Sequence, residues 1–281
     1  MRVLLIGTAA IALSGCSWLG LGNNGKSVQN YGSQYGSQYG QYQAPKPAGG
    51  CASGGCLSRW NIEGGVGTAF LVGGSILDDD VPAGSVVNDV SYRDAYNAGF
   101  RGELGGSYAL SPNRKITANG FFQEHDSEGN LDLGTVGGAA LSGSLSDYTT
   151  YGGEVGLRQY FAPRVAPIVK HYRPYIEGKV GAAYIEGIDL EGGTIGGTAI
   201  APGGADVALF DGGFVPTAAG LVGVEAPIAR FTTIGIETGI RYTGSPDTDT
   251  SFLGAGSPLA GANDAGAKWS VPLMVRGRYR F

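Results

Sequence analysis

A histidine, an aspartate and a serine stand side by side at His125, Asp126 and Ser127, in the segment FFQEHDSEG. Acyl transfer uses these residue types when a base, an orienting carboxylate and a nucleophile meet in space. Successive residues of a strand point to opposite faces, so three neighbours on one strand do not assemble such a site. The sequence also lacks a Gly-x-Ser-x-Gly segment, a phosphate-binding loop and a zinc-binding His-Glu-x-x-His segment. We therefore expect no catalytic residue, no metal site, no cofactor and no enzymatic activity.

Charged residues recur at every second position of stretches that are otherwise apolar. Arg101 and Glu103, for example, alternate with Phe100, Gly102 and Leu104. This alternation predicts a strand with one apolar and one polar face. If the polar faces line a closed interior, their charges must be paired, either as a static network or along a narrow or gated ion path. The charges assigned to these faces are six acids and six bases: Glu63, Arg101, Glu103, Glu154, Arg158, Glu177, Lys179, Glu225, Glu237, Arg241, Arg276 and Arg278.

Eight alternating stretches carry these charges, and each is long enough for a membrane-spanning strand of about 9–11 residues. Aromatic residues near their ends suit the two interfacial girdles of a membrane barrel. They are Trp60, Tyr92, Tyr108, Tyr151, Phe161, Tyr184, Phe231 and Tyr242. The stretches lie near 59–72, 94–110, 114–125, 147–161, 172–186, 213–226, 231–243 and 268–281.

The connections between the stretches alternate in length. Those near 73–93, 126–146, 187–212 and 244–267 are long, and the three between them are short. Four long and three short connections require eight strands, with both ends of the barrel on the side of the short turns. Long external loops and short periplasmic turns are typical of bacterial membrane barrels. The long connections are rich in carboxylates, which either bind divalent cations such as Ca²⁺ or only keep the loops solvated.

The first 58 residues have a different character. Met1 and Arg2 precede the apolar run VLLIGTAAIAL, which predicts an export signal over residues 1–15. This run has about 11 apolar residues, too few for a membrane-spanning helix, which needs about 20. Residues 16–58 are rich in Tyr, Gly and Gln, and we expect a flexible periplasmic linker. Cys51 and Cys56 fall within it, and an oxidising compartment favours a disulfide between them over a metal site.

Three features resemble known families. Leu13-Ser14-Gly15-Cys16 resembles the bacterial lipobox, which implies cleavage before Cys16 and acylation of its thiol. The C-terminal strand ends in Tyr279-x-Phe281, which resembles the assembly signal of outer-membrane barrels. The alternation and loop rhythm of residues 59–281 resemble the small eight-stranded outer-membrane barrels that include the OmpA-type transmembrane domain.

These resemblances imply an all-β fold, an eight-stranded antiparallel transmembrane barrel after a disordered tether. They also imply a lipid-anchored protein of the Gram-negative outer membrane with both termini in the periplasm. The implied partners are outer-membrane lipid, lipopolysaccharide and the barrel assembly machinery. Peptidoglycan or a surface polymer is a further candidate partner if the linker tyrosines stack on sugar rings, and a passive spacer is the alternative. The net charge of −5 gives no case for nucleic-acid binding. We expect a non-enzymatic role in envelope structure or surface interaction, with a narrow pore and a lipid-modifying enzyme as the alternatives.

Overall fold

The structure is a computed structural model that describes residues 59–77, 85–165, 171–229, 231–248 and 266–280. Nearly all of these residues form antiparallel strands, as the alternation predicts. Eight long strands make the barrel: β1 (Trp60–Gly73), β5 (Gly99–Ser111), β6 (Arg114–His125), β9 (Tyr148–Tyr160), β10 (Arg173–Ile185), β14 (Gly213–Pro227), β15 (Thr232–Thr243) and β17 (Lys268–Arg280). The shorter elements lie between them: β2 (Ser75–Leu77), β3 (Ser85–Val87), β4 (Val90–Ser91), α1 (Tyr92–Ala95), β7 (Leu131–Val136), β8 (Ala139–Leu145), β11 (Ile188–Ile195), β12 (Thr198–Ala199), β13 (Val207–Asp211) and β16 (Asp247–Thr248).

The barrel is closed. Its strands follow the order β1-β17-β15-β14-β10-β9-β6-β5, and β5 pairs with β1 to complete the ring. The first and last strands also pair with each other, with Asn61 opposite Arg280. The two ends of the barrel sequence therefore lie at the same end as the short turns. This confirms the predicted eight-stranded antiparallel fold.

One predicted strand boundary is wrong. The second stretch was expected to begin at residue 94, but β5 begins at Gly99. The preceding residues form a single helical turn, α1, and the Tyr96 side chain packs inward at 3% exposure. The apolar residues that suggested an earlier strand start therefore fill the interior of the distal part. By "distal" we mean the end of the barrel opposite the short turns.

The outer surface of the barrel is apolar between two belts of aromatic side chains. At the short-turn end, the Trp60 and Tyr108 rings lie 4.9 Å apart, and Phe161 is exposed. The distal belt contains Tyr151, Tyr184, Phe214, Tyr242 and Trp269, with neighbouring ring centroids 5.2–5.4 Å apart. Tyr92, which was also expected in a belt, is instead 1% exposed inside the distal part.

The long connections fold into a second β-sheet, which the sequence reasoning did not foresee. Its strand order is β16-β13-β11-β8-β7-β3, and it lies beyond the distal end of the barrel. Two of its hairpins share a sequence: LDL, then Thr135-Val136-Gly137-Gly138, and IDL, then Thr194-Ile195-Gly196-Gly197. Both Gly-Gly pairs have positive φ, near 58° and 81°, the geometry of a type I′ turn. The two hairpins are thus local copies of one unit, and β8 and β11 join them edge to edge.

An apolar cap connects the sheet to the barrel. Leu133, Leu141, Leu145 and Leu190 point from the sheet towards the barrel and are buried. They continue a cluster that includes Phe121, Ala183, Ile185 and Val215, whose side chains fill the distal mouth. Three tyrosines join the cluster, and their rings lie 5.7–6.4 Å apart: Tyr92, Tyr96 and Tyr148. Burial raises the pKa of Tyr92 and Tyr96 well above the ordinary phenol value, so both remain neutral.

Within the described part of the chain, no helix has both the length and the apolar character needed to cross a membrane. The predicted signal segment 1–15, the linker 16–58 and the residues Cys16, Cys51, Cys56 and Phe281 lie outside the described residues. Their assignments stay predictions.

Candidate functional site in the charged barrel interior

A single carboxylate, Glu103 of β5, gathers four cations at the centre of the barrel. Its oxygens lie 2.9 Å from Arg101 Nε, 3.0 Å from Lys179 Nζ and 2.8 Å from Arg241 Nη2. Arg276 Nη2 also donates to it. These cations come from β5, β10, β15 and β17, so one side chain joins four strands across the interior. Such contacts follow from the inward parity of each strand together with the narrow diameter of an eight-stranded barrel.

Two further glutamates share the cations that surround Glu103. Glu154 of β9 accepts from Arg241 Nη1 at 2.5 Å. Glu237 of β15 accepts from Arg276 Nε at 2.8 Å and from the Tyr175 hydroxyl at 2.9 Å. Each arginine therefore contacts two carboxylates, and the ion pairs form one connected network. We call these residues and Glu103 with its four cations the central cluster.

A second cluster fills the interior near the short turns. Arg158 of β9 reaches Glu63 of β1 at 2.8 Å and Glu177 of β10 at 2.8 Å. Arg278 pairs with Glu225 at 2.5 Å, and the Tyr160 hydroxyl donates to the same carboxylate at 3.2 Å. Two hydroxyl groups also donate to these carboxylates, that of Thr117 to Glu177 and that of Ser107 to Glu63. With both clusters counted, all eight strands contribute a side chain to the polar interior.

The structure places all twelve charges of the predicted network on the inner faces and brings them into contact. Their partners could not be read from the sequence, because an alternating pattern gives the face of a residue but not its neighbour across the barrel. Two inward lysines were not included in the predicted charge network, although the alternation puts Lys268 on the polar face of the last strand. Lys115 lies over the Tyr160 ring, with its Nζ 5.4 Å from the ring centroid. Lys268 lies over the Tyr148 ring, at 3.2 Å. Both share the parity of the inward residues on their strands, so the alternation was a signal that could have found them.

The ion pairs of the interior are deeply buried, so each charge depends on its partners for stability. Arg158, Glu177, Lys179 and Glu237 are each 1–2% exposed. Removing one partner of a buried pair leaves an uncompensated charge, which is strongly destabilising. Nearly every charge here has several partners. The network therefore fixes the relative positions of the strands across the interior.

His125 is fully buried at the distal edge of this network. Its Nδ1 lies 2.9 Å from the Asn97 carbonyl oxygen, and its Nε2 lies 2.7 Å from Gln123 Nε2. Both ring nitrogens are therefore engaged by residues other than Ser127. Asp126 and Ser127 belong to the following connection, where the Ser127 amide is bound by Asp147. Nothing among these contacts joins a base to a nucleophile.

Tyr279 stands on the outer face of β17, opposite the arginines. It is half exposed, and its ring lies 6.4 Å from that of Phe231, in the belt near the short turns. Its predicted role in assembly stays a prediction. Among the residues that the structure describes, no group of three or more His, Cys, Asp or Glu is arranged to hold a metal ion.

Comparisons with known proteins give similarity of fold without a family. No family model and no curated protein matches the chain. Among solved structures, Neisserial surface protein A is 12% identical, with 80% of this chain and 98% of that chain covered and a TM-score of 0.43. OprG from Pseudomonas aeruginosa is 14% identical over 79% and 96%, with a TM-score of 0.41. The outer membrane protease OmpT from Escherichia coli is 10% identical over 79% and 97%, with a TM-score of 0.40.

At such low similarity, the class of the protein has to follow from its own surfaces. A closed antiparallel barrel leaves no unpaired strand edge, which is the condition for crossing a membrane with strands. An apolar exterior between aromatic belts and a charged interior are the features of the transmembrane barrels. This chain is therefore a small eight-stranded barrel of the bacterial outer membrane.

Proposed function

We propose that the protein is a non-enzymatic outer-membrane barrel, closed to ions, which displays its distal sheet on the cell surface for binding. The observation that carries this proposal is the filling of the interior. The two ion-pair clusters occupy the barrel from the short turns to its centre, and the apolar cap occupies the distal mouth. A pore would need a continuous polar path, and the cap interrupts any such path. Among the described residues, the distal sheet is then the folded part that a partner outside the membrane could reach.

The chemistry of that surface favours cationic partners. The described distal connections carry one base, Arg93, among many acids. Carboxylates in this number attract divalent cations, which bind oxygen ligands and are shared with the phosphates of lipopolysaccharide. Basic groups of a surface polymer would be attracted in the same way. The acids, most of them exposed, are Asp89, Asp94, Asp126, Glu128, Asp132, Asp147, Glu186, Asp189, Glu191, Asp206 and Asp211.

The proposal includes a membrane anchor and an orientation. Acylation of Cys16 would hold the linker at the inner leaflet of the outer membrane. The short turns and both termini would then face the periplasm, and the distal sheet would face outwards.

The orientation can be tested by chemical labelling of intact cells. In a parent in which Cys51 and Cys56 are serine, Ala140→Cys puts a thiol on the exposed β8 strand of the distal sheet. We expect a membrane-impermeant maleimide to label this thiol without lysis. The matched control is Asn113→Cys in the exposed short turn between β5 and β6, which should react only after the outer membrane is permeabilised. Labelling of residue 113 but not residue 140 on intact cells would show that the proposed orientation is wrong.

Closure of the barrel can be tested by recording from single proteins in planar bilayers. We expect no steady conductance from the wild-type protein. Arg158→Ala removes the link between Glu63 and Glu177, but the apolar cap remains, so this variant should also stay closed. Steady steps from the wild type would support the pore instead. Steps from the variant alone would mean that the ion pairs, and not the cap, make the seal.

The enzyme alternative has its own measurement. Purified protein in vesicles that contain lipid A and phospholipid should leave both unchanged. Hydrolysis or acyl transfer that is lost on His125→Ala would overturn the non-enzymatic assignment.

A further inference from the structure

Lys268 is a buried basic side chain without an acidic partner among the described residues. It begins β17, points into the barrel and is 2% exposed. All six glutamates of the interior are engaged by other arginines and lysines, and no described carboxylate lies within ion-pair distance of Lys268 Nζ. The Nζ also makes no hydrogen bond. Its close contact is the face of the Tyr148 ring, with that of Tyr92 farther away at 5.9 Å.

Other buried hydroxyl groups lie on the inner faces of the barrel strands near the distal mouth. Tyr148 precedes Thr150 on the inner face of β9, and their buried hydroxyl groups have no hydrogen-bond partner other than each other. A third buried and unpartnered hydroxyl, that of Thr217 on β14, stands two strands away from Lys268, with Thr243 of β15 between them. The boundary between the central cluster and the apolar cap therefore holds an ammonium group and, beside it, the hydroxyl groups of Tyr148 and Thr150.

Buried donors that lack partners need a hydrogen-bond acceptor. Burying an ammonium ion without compensation is costly, and unsatisfied hydroxyl groups add to that cost. The tyrosine faces offset part of the charge through cation–π attraction. They do not accept all three N–H groups, and they give the hydroxyl groups nothing to donate to.

We propose that Lys268, Tyr148 and Thr150 form a buried binding site for a monatomic anion, which in the cell is chloride. The ammonium group supplies the charge and the hydroxyl groups supply the remaining donors. The small size follows from the barrel, because an eight-stranded interior is largely filled by side chains.

Such an anion would link β17 to β9, which stand on different sides of the barrel. The Tyr148 ring of β9 packs against Tyr92 and Tyr96 of the apolar cap. The bound ion would therefore fix the ring on which these cap tyrosines pack. This inference does not depend on the proposed binding role of the distal sheet, because it concerns only the interior.

Bromide provides a direct probe of the site in the full-length protein. Crystals grown with bromide in place of chloride should show an anomalous peak in contact with Lys268 Nζ. Density there without an anomalous signal would mean water and would overturn the proposal. This measurement uses the wild type, so it does not depend on any variant folding.

Thermal unfolding in detergent provides the second arm. A ligand that binds only the folded state raises the unfolding midpoint as its concentration rises. We expect chloride to raise the midpoint above that in gluconate at equal ionic strength, and Lys268→Met to abolish this difference. The matched control is Lys115→Met, which removes an inward lysine near the short turns and should keep the chloride effect. An equal chloride effect in both variants would contradict the site.

Discussion

Replacing Glu103 with alanine should lower the free energy of unfolding by about 3–5 kcal/mol, the usual cost of breaking a buried ion pair from one side. The reason is specific to this position. Arg101, Lys179, Arg241 and Arg276 would lose the carboxylate that they share, and only Glu154 and Glu237 would remain to compensate them. The loss can be measured by urea unfolding in lipid vesicles, with heat-modifiable gel mobility as the report of the folded barrel.

Two further variants show whether the lost charge is responsible. Glu103→Gln keeps nearly the same volume, so it should cost almost as much as alanine if charge matters and much less if packing does. Glu225→Ala removes the same side chain from a site with one cation, Arg278, nearer the short turns. We expect a smaller loss there. Equal losses of unfolding free energy for Glu103→Ala and Glu225→Ala would mean that Glu103, with its four cations, stabilises the barrel no more than a glutamate with one.

Replacing Leu104 with arginine should cost about 2–4 kcal/mol, the range for an arginine that faces lipid at the bilayer midplane. Leu104 is 70% exposed on the outer face of β5. It lies in the middle of the strand, between Gly64 of β1 and Gly120 of β6, so no large neighbour shields it from lipid. Unfolding from vesicles of defined thickness measures the effect.

The matched control is Leu110→Arg, the same substitution on the same face of the same strand. Leu110 lies at the short-turn end, where an arginine reaches the interface and the cost falls to about 0–1 kcal/mol. Ser107 would serve less well, because it is 1% exposed and donates a hydrogen bond to Glu63 in the filled interior. Equal costs at residues 104 and 110 would contradict the assigned membrane depth.

The sequence by itself determined the strands and their faces. In a strand, side chains alternate between two faces with a period of two, so Arg101, Glu103 and Leu104 reveal their sides without any knowledge of their neighbours. The rhythm of long and short connections then fixed the number of strands and the common end of the first and the last. These are local properties, and the structure agrees with them except near Tyr92 and Tyr96. There, apolar residues fill the cap and do not face lipid.

The tertiary structure alone decided which charges meet, how the long connections fold and which lysine is left unpaired. Glu103 and Arg276 are 173 residues apart and touch only because the closed barrel brings β5 and β17 to the same depth. The distal sheet likewise depends on pairing between different connections. The composition of its short strands, which are rich in Gly, Ser and Thr, does not predict that pairing. Lys268 stands apart for the same reason. Whether a buried charge has a partner depends on the stagger of strands around the barrel, and that stagger is set by closure of the whole sheet.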